Sequence, residues 1–102
     1  MTPLVSILIP AYNSAAWIEE TLRSALAQTW PHREIIVVDD GSSDDTVERA
    51  RRFASSGVRV LSQPNAGASA ARNRAWRESR GDWLQFLDAD DLLEPRKIGH
   101  QL

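Results

Sequence analysis

Three carboxylates lie within four residues near the end of this 102-residue chain, at Asp88, Asp90 and Asp91. They directly follow the short apolar segment Trp83-Leu84-Gln85-Phe86-Leu87. Acids this close repel one another, so proteins usually keep them on a solvated loop or around a cation. If they bind a cation, oxygen ligands without His or Cys suit Mg²⁺ or Mn²⁺ held on a nucleotide diphosphate. Such a metal makes the diphosphate a better leaving group.

Two other polar groups could complete a nucleotide site, Pro10-Ala11-Tyr12-Asn13 and Asp39-Asp40-Gly41-Ser42. The ring of Tyr12 could flank a base, while Asp40 accepts a hydrogen bond from a base N–H. Packing of Tyr12 in the core is an equally open alternative. Further along the chain, Arg72 could bind phosphate with its guanidinium fork or belong to a solvated face. For Ser42, Ser43 and Asp44 we favour helix capping.

The elements that must position these groups alternate regularly along the chain. Apolar runs predict strands over residues 4–9, 34–38, 58–61 and 83–87, the first and the last buried. We expect Pro10 to stop the first of these strands. Helical spacing predicts one helix capped by the Asn13-Ser14 pair and running to about Gln28, a second after Asp44, and a third from about Ala68 to Ser79.

This order predicts an α/β fold with three α/β/α layers and a Rossmann-like, mainly parallel sheet of about four strands. The carboxyl ends of parallel strands meet at one edge, where open sheets of this type bind ligands. The polar groups that follow strands one, two and four should therefore lie together.

Composition narrows the function further. The chain has 42% hydrophobic residues, 25% charged residues, a net charge of -2 and no cysteine. The charge gives no general attraction to nucleic acid, and the lack of cysteine excludes disulfides and thiolate metal sites. Without a signal peptide or an apolar run long enough to span a bilayer, we expect a cytoplasmic protein. The cytoplasmic face of a membrane is the alternative for a longer parent protein. We expect the four tryptophans to serve packing rather than recognition.

Four segments in this order resemble the family 2 glycosyltransferases, which have the nucleotide-diphospho-sugar transferase fold. They are Val5-Ser6-Ile7-Leu8-Ile9-Pro10-Ala11-Tyr12-Asn13, Ile36-Val37-Val38-Asp39-Asp40-Gly41-Ser42-Ser43-Asp44-Asp45-Thr46, Asn65-Ala66-Gly67-Ala68-Ser69-Ala70-Ala71-Arg72-Asn73 and Phe86-Leu87-Asp88-Ala89-Asp90-Asp91.

The resemblance implies roles for the matched residues at both ends of a nucleotide. Asp40 would hydrogen-bond the base and Asp39 would support that loop. Asp88 would lie near the ribose and the metal waters, while Asp90 would ligate Mn²⁺ or Mg²⁺ and Asp91 is a less certain third acid. The other nucleotide-binding positions would be Pro10, Ala11, Tyr12, Asn13 and Arg72.

The resemblance also implies an inverting reaction, in which an acceptor hydroxyl attacks the sugar as the nucleoside diphosphate leaves. A UDP-sugar is the expected donor, and the acceptor would be a glycan, a lipid or another hydroxyl compound. The catalytic base of such enzymes lies further along than residue 102, so we assign no catalytic residue here. Residues 1–102 would then be the nucleotide-sugar-binding part of a catalytic domain that continues beyond Leu102.

Other readings fit less well. A dinucleotide-binding oxidoreductase should show a glycine-rich turn after strand one, and Pro10-Ala11-Tyr12-Asn13 has no glycine. A phosphoryl-accepting receiver domain would carry its acid pair after strand one. A sugar nucleotidyltransferase would usually carry a glycine-rich, basic phosphate loop there. The alternative to an enzyme is a non-catalytic module that binds nucleotides or acts in signalling.

Overall fold

The structure, a computed structural model, describes residues 3–89. Strands and helices alternate along the chain as predicted, with a short 3-10 turn at Ala54–Ser56 after the second helix. The elements are β1 (Val5–Ala11), α1 (Ile18–Leu26), β2 (Arg33–Asp40), α2 (Thr46–Arg51), β3 (Val58–Gln63), α3 (Ala68–Glu78) and β4 (Trp83–Phe86). No helix within residues 3–89 has the length and apolar character needed to cross a membrane.

The four strands form one sheet in the order β3-β2-β1-β4. All three strand pairs are parallel, and Ile7 of β1 lies opposite Ile35 of β2 and Gln85 of β4. The predicted α/β fold with a parallel sheet is therefore confirmed. Because every strand runs the same way, the carboxyl ends of β1, β2 and β4 meet at one edge.

Apolar side chains cover the two faces of the sheet in separate clusters, because neighbouring residues of a strand point to opposite faces. On one face, Ile7 and Ile9 of β1 pack with Ile18 and Leu22 of α1. On the other, Leu8, Ile36 and Val38 pack against Ala71 and Ala75 of α3. The two alanines let α3 approach the sheet closely. These clusters confirm the three-layer arrangement.

Pro10 lies inside β1, although the sequence suggested that it would stop the strand. In a parallel strand the backbone groups of residues with the same parity point to the same neighbour. The carbonyl of Leu8 accepts from Leu87 N on the β4 side, so the backbone of Pro10 also faces that side. Pairing with β4 ends at Leu8, so the missing N–H of Pro10 breaks no ladder bond.

Helix α1 starts at Ile18 with Trp17 at its N-cap, three residues after Ser14 and four after Asn13, where the cap was predicted. That cap prediction is wrong because both side chains bond elsewhere. Asn13 Oδ1 accepts from Ser43 N at 2.8 Å, and Ser14 Oγ donates to the carbonyl of Tyr12. The backbone carbonyl of Ser14 does accept from Ile18 N, so a turn precedes the helix.

The prediction of a buried fourth strand is also wrong. β4 pairs only with β1 among the described residues, and Trp83 and Phe86 are 55% and 43% exposed. The expectation that tryptophans serve packing is confirmed only for Trp30, which packs against the core and donates its indole N–H to Pro3 O. Trp17 and Trp76, like Trp83, are more than half exposed.

Candidate functional site

A cavity of about 400 Å³ opens at the carboxyl ends of β1 and β2, beside the start of α3. It brings together most of the site residues predicted from the sequence. Asp39 does not line it, and Asp90 and Asp91 lie outside the described residues. The predicted residues that line it are Pro10, Ala11, Tyr12, Asn13, Asp40, Arg72 and Asp88.

Tyr12 stands at the end of β1 with 54% of its surface exposed. The alternative that Tyr12 packs in the core is therefore wrong. Trp17, from the turn before α1, lines the same cavity and is 51% exposed. Two exposed aromatic rings beside one cavity offer flat surfaces on which a planar base could stack.

Asp40 ends β2 and is almost fully buried. Its carboxylate accepts four hydrogen bonds, two on each oxygen, from the last residue of β3 and from the segment that joins β3 to α3. The donors are Gln63 Nε2 at 2.9 Å and Ala66 N at 2.8 Å to Oδ1, and Asn65 Nδ2 at 3.1 Å and Gly67 N at 2.9 Å to Oδ2. Four partners fill the acceptor capacity of a carboxylate, so Asp40 fixes this loop.

These contacts also determine the charge of Asp40. The hydrogen bond from Gln63 lowers the pKa of the Asp40 carboxyl below its ordinary 3.8, and the Ala66 and Gly67 amides add to this effect. Desolvation by burial acts in the opposite direction but does not outweigh them. Asp40 is therefore a carboxylate at neutral pH, and a base N–H that reached it would share an oxygen that already has two donors.

Asp39 points to the other face of the sheet and is equally buried. Its Oδ2 accepts from Ser42 N at 3.0 Å, and Ser42 Oγ donates to its Oδ1. The same hydroxyl accepts from Asn13 N at 2.8 Å. Asp39 thus contacts its own loop directly at Ser42, and the loop after β1 through the Ser42 hydroxyl.

At the other end of the cavity, across β1 from Asp40 in the strand order, Arg72 on α3 faces Asp88, just after β4. The guanidinium Nη2 lies 3.7 Å from Asp88 Oδ1, and the side chains are 45% and 60% exposed. An exposed pair at this distance contributes little to stability, so both groups can change partners. Arg74 instead donates to the carbonyl of Ser62 at 2.7 Å.

Asp88 supplies the oxygen chemistry that a divalent cation needs. Within residues 3–89 no three His, Cys, Asp or Glu side chains are grouped closely enough to hold a metal ion. The exposed carboxylate of Asp88 is a hard oxygen ligand beside the cavity, and sites for Mg²⁺ on nucleotides often use only one or two protein carboxylates. The described part of the site therefore offers one carboxylate of the type that such a metal needs, at Asp88.

Sequence reasoning did not assign several of the cavity residues. Asn65 and Gly67 lie in a segment that carries the family resemblance, but the attachment of this segment to Asp40 depends on contacts between residues 25 to 27 positions apart. The small side chains at the start of α3 could have indicated that this helix borders a cavity, because small residues leave room for a ligand. The missed residues are Ser14, Trp17, Asn65, Gly67, Ala68, Ala71 and Ala89.

Known proteins resemble this chain over almost its whole length. Residues 6–102 match the model of the family described as Glycosyl transferase family 2. The uncharacterized glycosyltransferase YibD of Escherichia coli is 43% identical over 96 residues, which are 92% of this chain and 28% of YibD.

Two solved structures share the fold. The structure of Staphylococcus aureus TarS 1-349 in complex with UDP-GlcNAc superposes with a TM-score of 0.90 at 29% identity, covering 95% of this chain and 29% of that one. The mannosyltransferase PcManGT of Pyrobaculum calidifontis, in complex with GDP-Man and Mn²⁺, gives 0.84 at 32% identity, covering 90% and 29%. The chain therefore spans less than a third of the length of these three proteins.

Proposed function

Because this chain belongs to glycosyl transferase family 2, we propose that its cavity binds the nucleoside diphosphate of a sugar donor. One observation carries the proposal: a single cavity is lined by the exposed ring of Tyr12 and by the exposed pair Arg72 and Asp88. A nucleotide needs a flat apolar contact for its base and charged groups for its phosphates, and this cavity offers both.

The donor we propose is a UDP-sugar. TarS and PcManGT, whose folds this chain shares, are described as bound to UDP-GlcNAc and to GDP-Man, so a diphosphate sugar is common to both. The base would lie beside Tyr12 in the loop after β1. Asp40 would contact its N–H only by sharing an oxygen with one of its present donors.

The diphosphate would lie at the opposite end, where Arg72 is available to bind it with its fork of N–H groups. Its present partner, Asp88, would then turn its carboxylate to Mn²⁺ or Mg²⁺ together with Asp90. When bound, such an ion neutralises the charge that develops on a leaving diphosphate. We propose that these residues bind and orient the donor.

The reaction we propose is inverting transfer of the sugar to a hydroxyl of a glycan, a lipid or another acceptor. A general base must take the proton of that hydroxyl, and we assign this role to no residue of this chain. We therefore expect the 102-residue chain alone to bind nucleotide weakly and to transfer no sugar from a labelled donor. Robust transfer by this chain would contradict that expectation.

Calorimetric titration tests the donor proposal. UDP and GDP are each titrated into the wild-type chain with Mn²⁺ and after chelation, and the same is done for Asp90→Asn. We expect UDP to bind only with the metal, and the substitution to abolish that binding.

Asp45→Asn is the matched control, because Asp45 pairs with Arg49 on the surface and does not line the cavity. It should bind as the wild type does. UDP binding that persists after chelation and in Asp90→Asn would contradict the proposed metal site, and no binding of either nucleotide would contradict the proposed function.

A further inference from the structure

The loop after β1 is tied to the segment after β2 by three consecutive backbone N–H groups. We call residues 12–15 the first loop, and Ser42, Asp44 and Thr46 the clamp. The three hydrogen bonds run from Asn13 N to Ser42 Oγ at 2.8 Å, from Ser14 N to Thr46 Oγ1 at 2.8 Å, and from Ala15 N to Asp44 Oδ2 at 3.3 Å.

Thr46 is the centre of the clamp. It is fully buried as the first residue of α2, and its hydroxyl both accepts from Ser14 N and donates to Asp44 Oδ1. Thr46 N donates to the same oxygen at 3.0 Å. Asp44, expected from the sequence to cap a helix, does contact the first helical N–H, but its other oxygen holds Ala15. One threonine hydroxyl therefore connects two loops that are about 30 residues apart.

The clamp also holds an unusual backbone conformation. Asn13 has a φ of +48°, in the left-handed region that most side chains avoid. Ser43 N donates to Asn13 Oδ1 at 2.8 Å, which adds a side-chain bond to the three backbone bonds. Because Tyr12 precedes Asn13 directly, these bonds hold the backbone next to Tyr12.

These contacts restrict what the first loop can bind. In phosphate-binding loops, consecutive backbone N–H groups point at the anion. Here the N–H groups of Asn13, Ser14 and Ala15 are already used within the chain. The first loop is thus left to contact the base, and phosphate recognition falls to Arg72 at the other end of the cavity.

We propose that Thr46, with Asp44, is a positioning residue of the nucleotide site, acting on the ligand through the first loop. Neither residue lines the cavity, whereas Tyr12, Asn13 and Ser14 do. This inference rests on the proposed function, because it needs a nucleotide beside Tyr12. Replacing the hydroxyl leaves Ser14 N without its acceptor and releases the loop.

The test compares Thr46→Val, which keeps the shape but removes the hydroxyl, with Thr46→Ser, which keeps the hydroxyl. UDP is titrated with Mn²⁺ into each variant under conditions where denaturation curves show it fully folded. An unpaired buried N–H should weaken UDP binding by at least about fivefold in Thr46→Val. Thr46→Ser should stay within about twofold of the wild type, as should the control Asp45→Asn.

The outcomes separate positioning from a purely structural role. If Thr46→Val is less stable but binds UDP as tightly as the wild type does, the proposal is overturned. Equal losses of affinity in the valine and serine variants would also overturn it, since the hydroxyl would then be irrelevant. A wild-type chain that binds no UDP would instead contradict the proposed function.

Hydrogen exchange of the wild-type chain keeps the proposal testable even if Thr46→Val does not fold. The amides of Asn13, Ser14 and Ala15 should be protected from exchange, because each donates to a clamp side chain. Exchange of these three amides at the rate of an unstructured peptide would overturn the proposal. Protection of all three would support it.

Discussion

The two ends of the cavity hold their charges in opposite ways. At the braced end, Asp40 is buried and both of its oxygens accept hydrogen bonds from the segment that begins at Gln63. The neighbouring Asp39, which does not line the cavity, is also buried and accepts from Ser42. At the open end, Arg72 and Asp88 are about half exposed and face each other at 3.7 Å. A buried carboxylate with four donors is part of the scaffold, while an exposed pair is free to exchange its partners for a ligand.

This difference shows that acids of similar appearance in the sequence have different tasks. Asp39 and Asp40 follow an apolar run, as Asp88 does, and both clusters lie at the same edge of the sheet. Burial and the hydrogen-bond donors that come with it separate them. We therefore expect substitutions at the braced end to change stability first, and substitutions at the open end to change ligand binding alone.

The largest effect should come from Asp40→Ala. It leaves four donors without their acceptor and should lower the free energy of unfolding by about 3 kcal/mol. The matched change at the open end, Asp88→Ala, should cost less than about 0.5 kcal/mol. Urea denaturation measures both, and equal losses would remove the distinction between the two ends.

Gly41→Ala should have the next largest effect. Gly41 has a φ of +74°, and a Cβ there would lie 2.6 Å from Asn65 N in the loop that Asp40 holds. We expect a loss of about 2 kcal/mol from strain and displacement together. Gly57→Ala is the control, because Gly57 has a φ of +91° but open space around its Cβ position. It should cost about 1 kcal/mol, so a larger loss at Gly57 would contradict this account of the loop.

At the open end, Arg72→Gln should weaken UDP binding about tenfold, since a charge-assisted contact to phosphate is lost. The free energy of unfolding should change by less than about 0.5 kcal/mol. Arg74→Gln serves as the control for charge, because Arg74 bonds to Ser62 O away from the cavity. An equal loss of affinity in both variants would mean that net charge, and not Arg72 itself, binds the phosphates.

The smallest expected effect is a difference between the wild type and Asp40→Asn in how stability falls at acid pH. Because folding lowers the pKa of Asp40 below 3.8, the folded state disfavours the proton. The stabilisation is complete above the unfolded pKa and is lost as the pH falls through the lower folded value. Asp40→Asn should therefore lose less stability than the wild type between pH 5 and the acid range, measured by urea denaturation at each pH. If the free energy of unfolding fell equally with pH in the two proteins, ionisation of Asp40 would contribute nothing to stability.

The fold was largely predictable because each strand and helix leaves a local pattern. The apolar runs and the periodic helices gave the order of elements and the parallel sheet. The prediction that Pro10 ends β1 was wrong, because whether a proline ends a strand depends on which neighbouring strand its backbone faces. The prediction that β4 is buried was also wrong, because an apolar run in the sequence does not distinguish an inner strand from one at the edge.

The site was predictable in its members but not in its contacts. The sequence indicated Tyr12, Asp40, Arg72 and Asp88, and the structure places all four around one cavity. The sequence did not indicate that the hydrogen-bond donors to Asp40 come from residues 63–67. Such bonds join segments that only the folded chain brings together. The clamp at Thr46 was missed for the same reason.

A structure of this chain bound to UDP and Mn²⁺ tests the central claim most directly. We predict uracil beside Tyr12 and the diphosphate at Arg72, with the ion on Asp88. The four donors to Asp40 should remain in place while the Arg72–Asp88 pair opens. A nucleotide bound outside this cavity, or one with its phosphates on the first loop and its base at Arg72, would contradict the account.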